Sequence, residues 1–299
     1  MLDSGRVAEV QARLLGWYAA FGRDLPWRRT RDPYSVLIAE VMLQQTQVER
    51  VIPKWYAWLT RFPNFAALAA ASRADAIREW RGLGYNLRAV RLHAIARQVM
   101  EHHAGELPRS LAGLLSLKGV GRYTAGAVAC FAFGEPVAMI DTNVRRVLGR
   151  VFQASGDFER LADSLVPATD AYAWNQALMD LGATVCRAQR PTCRLCPLRD
   201  VCAAAGQFAV RRPHRIADRR ASYAARERAA AEERARRGRV VDALRALPTG
   251  STLSLGELAT RVSHADSDDL ESRLNRLAAD GLVVIERVEA QELRLRLPD

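Results

Sequence analysis

The stretch LLSLKGVGRYTAGAVACFAF, residues 114–133, decides how the rest of the chain is read. An apolar segment gives way at Lys118 to the pair Gly119 and Gly121, and a second segment with helical apolar spacing begins at Tyr123. Paired glycines between two helical patterns predict a tight turn. They leave backbone N–H groups uncovered at a helix N-terminus, where an anion such as a DNA phosphate fits without any reading of base sequence. A G-x-G turn by itself is usually a connector. Followed at fixed register by TAGAVA, it becomes a helix-hairpin-helix candidate.

Outward from the turn the pattern stays helical. Apolar residues recur at helical spacing in VAEVQARLLGWYAAF, YSVLIAEVMLQQTQVERVIPKWYAWL, RADAIREWRGL, LRAVRLHAIARQVMEHH, TNVRRVLGRVF and WNQALMDLGATVC, with Gly or Pro between them. No strand-helix alternation precedes residue 240 and no internal repeat of fixed period is visible, so the first two thirds are expected to be all-α. At 299 residues, 49% hydrophobic and 26% charged, the chain has the length of about two domains and enough apolar content to bury a core. No apolar run reaches the roughly 18 residues of a membrane helix, so no membrane association is expected. The default compartment is the cytoplasm, where cysteines stay reduced and a cluster of them more often binds metal than forms disulfides.

The charge is lopsided. Net charge is +11, and Lys54 and Lys118 are the only lysines, so nearly all the positive charge is arginine. Such a surface favours a polyanion, most simply nucleic acid. Residues 207–239 hold eleven arginines without a strong apolar stripe. They read as a linker or an exposed helix, either a solvated segment or an arm along a DNA backbone. From residue 240 a new pattern begins: VVDALRAL, LSLGELATRV and DDLESRLNRLAADGL, then the short alternating runs VVIERV and ELRLRL. Three helices and a hairpin predict a winged-helix-like α+β module.

Four of the five cysteines fall in CRAQRPTCRLCPLRDVC, residues 186–202. Cys186, Cys193, Cys196 and Cys202 are spaced C-x6-C-x2-C-x5-C, and four thiolates can close a zinc site or hold a 4Fe-4S cluster. Structural zinc usually joins two close-spaced pairs. Only Cys193 and Cys196 form one here, and the wider outer spacings favour the bulkier iron-sulfur cube. A group wrapped by one loop reads as a structural brace, and Arg187, Arg190, Arg194 and Arg199 give the loop a positive face for phosphates. Cys130, at helical spacing in GAVACFAF, reads as a plain buried thiol.

The hairpin, then MIDTNVRRVLGR, then NQALMDLGATVC leading into the cysteine loop, resembles the helix-hairpin-helix DNA glycosylases that carry an iron-sulfur loop. Upstream, RDLPWRRTRDPYSVLIAEVMLQQTQVERV and WRGLGYNLRA resemble specifically the adenine DNA glycosylases of the MutY type. The resemblance runs from about residue 11 to residue 204 in ordered blocks. It implies an all-α, two-lobed core with a 4Fe-4S cluster as cofactor and double-stranded DNA as partner, acting as a monomer. On that reading residues 1–27 and 138–206 form the cluster lobe and residues 28–137 a six-helix barrel lobe with the hairpin. Residues 207–239 are the linker and residues 240–299 the winged-helix-like domain.

The resemblance also assigns roles. Cleaving a base from deoxyribose needs a proton for the departing base and a negative charge beside the oxocarbenium ion, the two-carboxylate logic of glycoside hydrolysis. Glu40 matches the acid, and its apolar helical neighbours suit a carboxyl that keeps its proton. Asp141 matches the carboxylate that stabilises the sugar cation, and it is also placed to N-cap the helix it opens. The two are expected to face each other across the substrate cleft. Tyr123 and Asn143 match residues that position the acid, the water and the sugar. Gln44, Gln45 and Thr46 match the wedge and partner-strand contacts, and Tyr85 an intercalating aromatic, which a flipped base requires. Arg23, Leu25, Trp27 and Arg28 align with the segment lining the adenine pocket. Gly119, Gly121 and Thr124 belong to the DNA-contacting hairpin.

Position 123 carries a further implication. The bifunctional endonuclease III branch has a lysine there that attacks the sugar as a Schiff base, whereas this chain has Tyr123, and neither Lys54 nor Lys118 stands at the matching place. A monofunctional glycosylase is therefore expected. The chain also departs from the pattern. Lys118 replaces the usual hairpin proline, Thr142 replaces a small residue between the aspartate and the asparagine, and residues 240–299 are too few for the usual lesion-reading domain. The alternatives are a thymine or uracil mismatch glycosylase, which shares the hairpin, aspartate, tyrosine and cluster, and a non-catalytic iron-sulfur DNA-binding regulator. A pure binder has no use for carboxylates near phosphates, where each repels the ligand.

Overall fold

The computed structural model describes residues 3–153, 157–207, 217–262, 269–288 and 292–299, without the side chains of 217–224. In chain order the helices are α1 Ser4–Phe21, α2 Pro33–Leu43, α3 Val48–Arg61, α4 Phe65–Ala70, α5 Arg73–Glu79, α6 Leu87–His102, α7 Leu111–Ser116, α8 Arg122–Phe131, α9 Thr142–Phe152, α10 Phe158–Ser164 and α11 Ala171–Thr184. They are followed by α12 Ala217–Arg245, β1 Leu253–Ser254, α13 Leu255–Arg261, α14 Leu270–Ala279, β2 Val284–Arg287 and β3 Leu293–Arg296. The first two thirds are helical, as the periodicity predicts. Short 3-10 turns at Pro26–Arg29, Cys193–Leu195 and Arg199–Val201 carry the segments that connect them.

These elements form two compact units, one drawn from residues 1–37, 108–116 and 120–214, the other from 38–107, 117–119 and 215–299. In the first unit, α11 packs against α1, α8 and α9. The reason is visible in α9, where Val144, Val147, Leu148 and Val151 recur at i, i+3, i+4 and i+7 and are all buried. They meet Val10 and Leu14 of α1 and Trp174, Leu178 and Leu181 of α11 in one core. Each such side chain, fully buried, contributes roughly 1.5–3 kcal/mol. Cys186, Cys196 and Cys202 lie against the edge of this core.

In the second unit, α4 and α5 pack on α6 around a nest of aromatic rings. Trp58 stands edge-on to Trp80 at 5.4 Å and to Phe62 at 5.0 Å. Of the segment read as a linker or an exposed helix, residues 208–216 lie outside the described residues and the rest from Ala217 belongs to α12, which packs on α5 and on α13. Arg245, at the end of α12, is itself buried and donates to the Ile77 carbonyl at 2.9 Å and to Asn86 Oδ1 at 2.7 Å. The end of α12, then α13, α14 and a three-stranded antiparallel sheet in the order β1-β3-β2, form the expected winged-helix arrangement. Its register pairs Leu253 and Ile285 with Leu295. Among the described residues no helix is long and apolar enough to cross a membrane.

Candidate active site and cysteine loop

Glu40 lies in α2, whose residues Tyr34–Met42 are all buried. A helix that is apolar on every side belongs in a core, and a carboxyl there is expensive to keep without a purpose. Glu40 is only 3% exposed. The C-terminal end of α2 is fixed by one side chain. Arg88, buried at the start of α6, donates to the carbonyls of Val41, Met42 and Gln44 at 2.6–3.0 Å, to Thr46 Oγ1 at 3.1 Å, and to the carbonyls of Leu83 and Gly84 at 3.0 and 3.1 Å. A cation at a helix C-terminus satisfies orphan carbonyls and favours the dipole. Burial pulls the Arg88 guanidinium down to about 10, still charged at neutral pH. One residue thus sets both the Gln44–Thr46 turn and the turn that presents Tyr85.

Two residues of those turns adopt left-handed backbone, Gln45 at φ 54° and Tyr85 at φ 46°. Neither is a glycine, and such conformations persist where the surroundings impose them, often at binding sites. Tyr85 is 42% exposed. Gln44, Gln45 and Tyr85, predicted separately from two distant motifs, line one cavity.

In the other unit, Asp141 N-caps α9. Its Oδ1 accepts from the Val144 N–H at 2.7 Å and its Oδ2 from Asn143 Nδ2 at 2.8 Å. The capping role and the neighbouring asparagine are thus both present, and the second oxygen is held by a side chain two residues on. Asn143 Oδ1 in turn accepts from Arg146 at 2.6 Å, and Arg146 also donates to the carbonyls of Gly182 and Cys186 at 2.7 Å. One turn further along, Arg150 donates to Cys186 Sγ at 3.3 Å and to the carbonyls of Arg187 and Ala188 at 2.8 and 2.9 Å. The basic face of α9 therefore ties the Asp141–Asn143 pair to the first cysteine of the loop. Neither arginine was singled out from sequence. Their i, i+4 spacing opposite the apolar stripe of α9 is the signal that marks them.

Tyr123, in α8, donates its hydroxyl to Met179 Sδ at 3.4 Å. Gly119 has φ +98°, which requires glycine, whereas a β-carbon on Gly121 would meet no atom within 4 Å. Gly121 N-caps α8 and leaves its first turn open. Thr124 is buried in α8. Leu25 and Trp27 are buried, and both Arg23 and Arg28 are engaged by Asp180. Asp180 accepts from Arg23 Nε at 2.7 Å and from Arg28 at 2.8 and 2.9 Å. Burial raises the Asp180 pKa, but the hydrogen bonds and charges of Arg28 and Arg23 outweigh it and leave the carboxyl below the ordinary aspartate value. Asp180 was missed from sequence, although a lone acid among the apolar residues of ALMDLG demands a buried cationic partner.

Cys186, Cys193, Cys196 and Cys202 all line one small cavity, together with Arg150 and Arg199. All four are free thiols. Burial pushes the Cys196 thiol up to about 11, with the other three sulfurs adding to the effect, and burial also raises Cys202. Four thiolates can share such a space only with a cationic group among them. The four side chains thus form a donor set for a group that takes four thiolates.

Residues 38–167 match the model of the HhH-GPD superfamily base excision DNA repair proteins. The chain is 40% identical to the adenine DNA glycosylase of Mycolicibacterium smegmatis over 278 residues, 90% of this chain and 91% of that protein. A match of that extent takes in much of the C-terminal module as well as the core. To the adenine DNA glycosylase of Homo sapiens it is 43% identical over 220 residues, 68% of this chain and 40% of that one. Among solved structures, a thermostable thymine-DNA glycosylase superposes at a TM-score of 0.65 with 31% identity, covering 68% of this chain and 98% of that chain. With the hairpin, the capped aspartate and the buried glutamate on one chain, these likenesses place it plainly: it belongs to the HhH-GPD superfamily of base excision DNA repair proteins, in the branch of DNA N-glycosylases formed by the adenine DNA glycosylases.

Proposed function

We propose that the protein is a monofunctional glycosylase that binds duplex DNA as a monomer and hydrolyses adenine mispaired with guanine or 8-oxoguanine. The observation that carries this reading is Glu40, a carboxyl buried in an otherwise apolar helix beside the Gln44–Thr46 turn, in a chain 40% identical to adenine DNA glycosylases. Glu40 donates a proton to the departing adenine as the N-glycosidic bond breaks and its electron pair leaves with the base. The Asp141 carboxylate, oriented by Asn143, stabilises the positive charge that develops on the sugar. Water adds to the sugar carbon and gives up a proton, which restores Glu40, while Tyr123 and Asn143 position water and sugar. The products are free adenine and an abasic site.

Gln44, Gln45 and Thr46 serve as wedge and partner-strand contacts and Tyr85 as the inserted aromatic that props the emptied stack. Gly119, Gly121 and Thr124 present the hairpin to the backbone, and the segment of Arg23, Leu25, Trp27 and Arg28 shapes the adenine side. Cys186, Cys193, Cys196 and Cys202 would hold a 4Fe-4S cluster. When bound, the cluster supplies a rigid, positively flanked brace for the loop. A brown protein with about four irons per chain is expected for this ligand set, and a colourless zinc protein would contradict it.

Base release from duplexes carrying A:8-oxoguanine, A:G, T:G and U:G pairs tests the function. Release confined to the adenine duplexes is expected. Release only from T:G or U:G would favour the mismatch-glycosylase alternative, and binding without release from any duplex would favour a regulator.

A further inference from the structure

The tip of the hairpin is held by a helix that is not part of the hairpin. Leu117 and Val120 are buried, and between them Lys118 and Gly119 are exposed. Residues 117–119 belong to the same compact unit as α6, although α7 before them and α8 after them do not. Two residues of α6 meet this turn. The Lys118 N–H donates to Gln98 Oε1 at 3.0 Å. A β-carbon on Gly119 would lie 3.7 Å from Cβ, Cγ and Cδ of Arg91, so the stem of that arginine runs beside the glycine. Arg91 and Gln98 stand two helical turns apart and share one face of α6.

The bond to Gln98 depends on which residue occupies position 118. It needs a main-chain N–H, and proline, the usual residue at this place in the hairpin, has none. A proline stiffens the turn through its ring, whereas here a side chain of another helix stiffens it through a hydrogen bond. The exchange leaves position 118 with an exposed side chain that carries an ammonium. Such a compact charge on a flexible stem suits a phosphate contact that reads no base sequence. An unanchored, exposed turn would have to be ordered on binding, at the expense of affinity, and a turn ordered beforehand avoids that loss.

We propose that Gln98 is the positioning residue of the hairpin tip, holding it from α6 in the form that meets a DNA backbone phosphate, and that the Lys118 ammonium joins that contact. The inference rests on the reading of the hairpin as a backbone contact and extends it to two side chains.

The test uses the full-length protein and a duplex with a stable abasic analogue opposite guanine. Affinity is measured over a series of salt concentrations. Gln98→Leu removes the acceptor and no charge, so it should weaken binding about 2- to 10-fold, the worth of one hydrogen bond, with the salt slope unchanged. Lys118→Met removes the ammonium and keeps the N–H. It should weaken binding and lower the salt slope by about 1. Gln98→Leu should cost the same factor in the Lys118→Met background as in wild type. Lys118→Pro removes the N–H as well, and in that background Gln98→Leu should cost nothing further. A purely structural role for Gln98 within α6 would instead cost the same factor in all three backgrounds. Thermal melting identifies any variant that fails to fold, and Gln98→Ala repeats the cycle if Gln98→Leu does.

Gly121→Glu tests the underlying reading. The position has room for a side chain and an ordinary φ of −89°, so the substitution is compatible with the fold. A carboxylate there repels a backbone phosphate, and affinity should fall at least about tenfold. If Gly121→Glu binds as wild type does, the hairpin is not the backbone contact and that reading fails. If Gly121→Glu binds weakly but Gln98→Leu costs nothing in wild type, or costs as much in the Lys118→Pro background, Gln98 does not act through Lys118 and the inference is overturned. An unchanged salt slope in Lys118→Met overturns the phosphate role of the ammonium.

Discussion

A β-carbon on Gly182 would stand 2.6 Å from the β-carbon of Asn143, with Asn143 Cα and Arg146 Nη2 both at 3.3 Å. The close approach of α11 to α9 therefore depends on a missing side chain, at the point where Asn143 holds Asp141. Gly182→Ala must push α9 away or rotate Asn143. Overpacking of this kind costs about 1–3 kcal/mol, and a misplacement of about 1 Å near a reacting centre costs up to roughly 100-fold in rate. The variant should melt lower than wild type and release adenine at least about tenfold more slowly in single turnover. An unchanged rate would remove the α9–α11 contact from the positioning of Asp141.

Asp180 holds two arginines, so removing its charge leaves both cations short of a partner. Asp180→Asn should cost about 3–5 kcal/mol in urea unfolding at neutral pH, as expected when one member of a buried ion network is lost. The pH dependence has a definite sign. The folded-state carboxyl lies below its ordinary value, so its stabilisation is complete above the unfolded value of about 3.9 and is lost as pH falls through the folded value. The stability gap between wild type and Asp180→Asn should therefore be constant from about pH 5 to 7 and close below about pH 4. A gap that narrows on the alkaline side would contradict the assignment.

Arg88 links the end of α2, the Gln44–Thr46 turn and the Leu83–Gly84 turn. Lysine has three donors on a point charge and cannot span both turns as a planar fork does. Both Arg88→Lys and Arg88→Met should lose at least about 3 kcal/mol of stability, since several buried carbonyls go unpaired. Duplex affinity should fall with it. Retention of wild-type melting and affinity by Arg88→Lys would show that charge alone suffices.

The hydroxyl of Tyr123 has no amine chemistry to offer, and neither lysine of the chain stands at that position. Incubation with substrate DNA and borohydride should leave at most a trace of covalent adduct. A strong adduct would contradict monofunctional hydrolysis.

The helices, the tight turn at Gly119, the capping role of Asp141 and the winged module were all legible, because each rests on local periodicity or on one residue type at one place. Gln44, Gln45 and Tyr85 were singled out by motif resemblance, not by any property of the glutamines themselves, and only the packing shows that they line one cavity. Arg88, Arg146, Asp180 and the α12 wall of that cavity were not read. Their roles depend on partners as far as 36 to 159 positions away, or on a helix whose charged surface gives no sign of what it touches. The arginine-rich segment illustrates this. As sequence it is compatible with a solvated linker, and only packing shows that Arg234 and Arg237 border the same cavity as Tyr85. Asp180 is the exception, since an acid on an apolar helical face announces a hidden cation.

The central claim is that Glu40 supplies the proton on which base release depends. Glu40→Gln keeps size and hydrogen-bonding capacity and removes the acid. Single-turnover release of adenine from an A:8-oxoguanine duplex, measured beside the affinity for the same duplex, tests it directly. The account predicts affinity within about threefold of wild type and a rate lower by at least about 100-fold, the contribution of a positioned general acid. Release at the wild-type rate by a variant that still binds would contradict it.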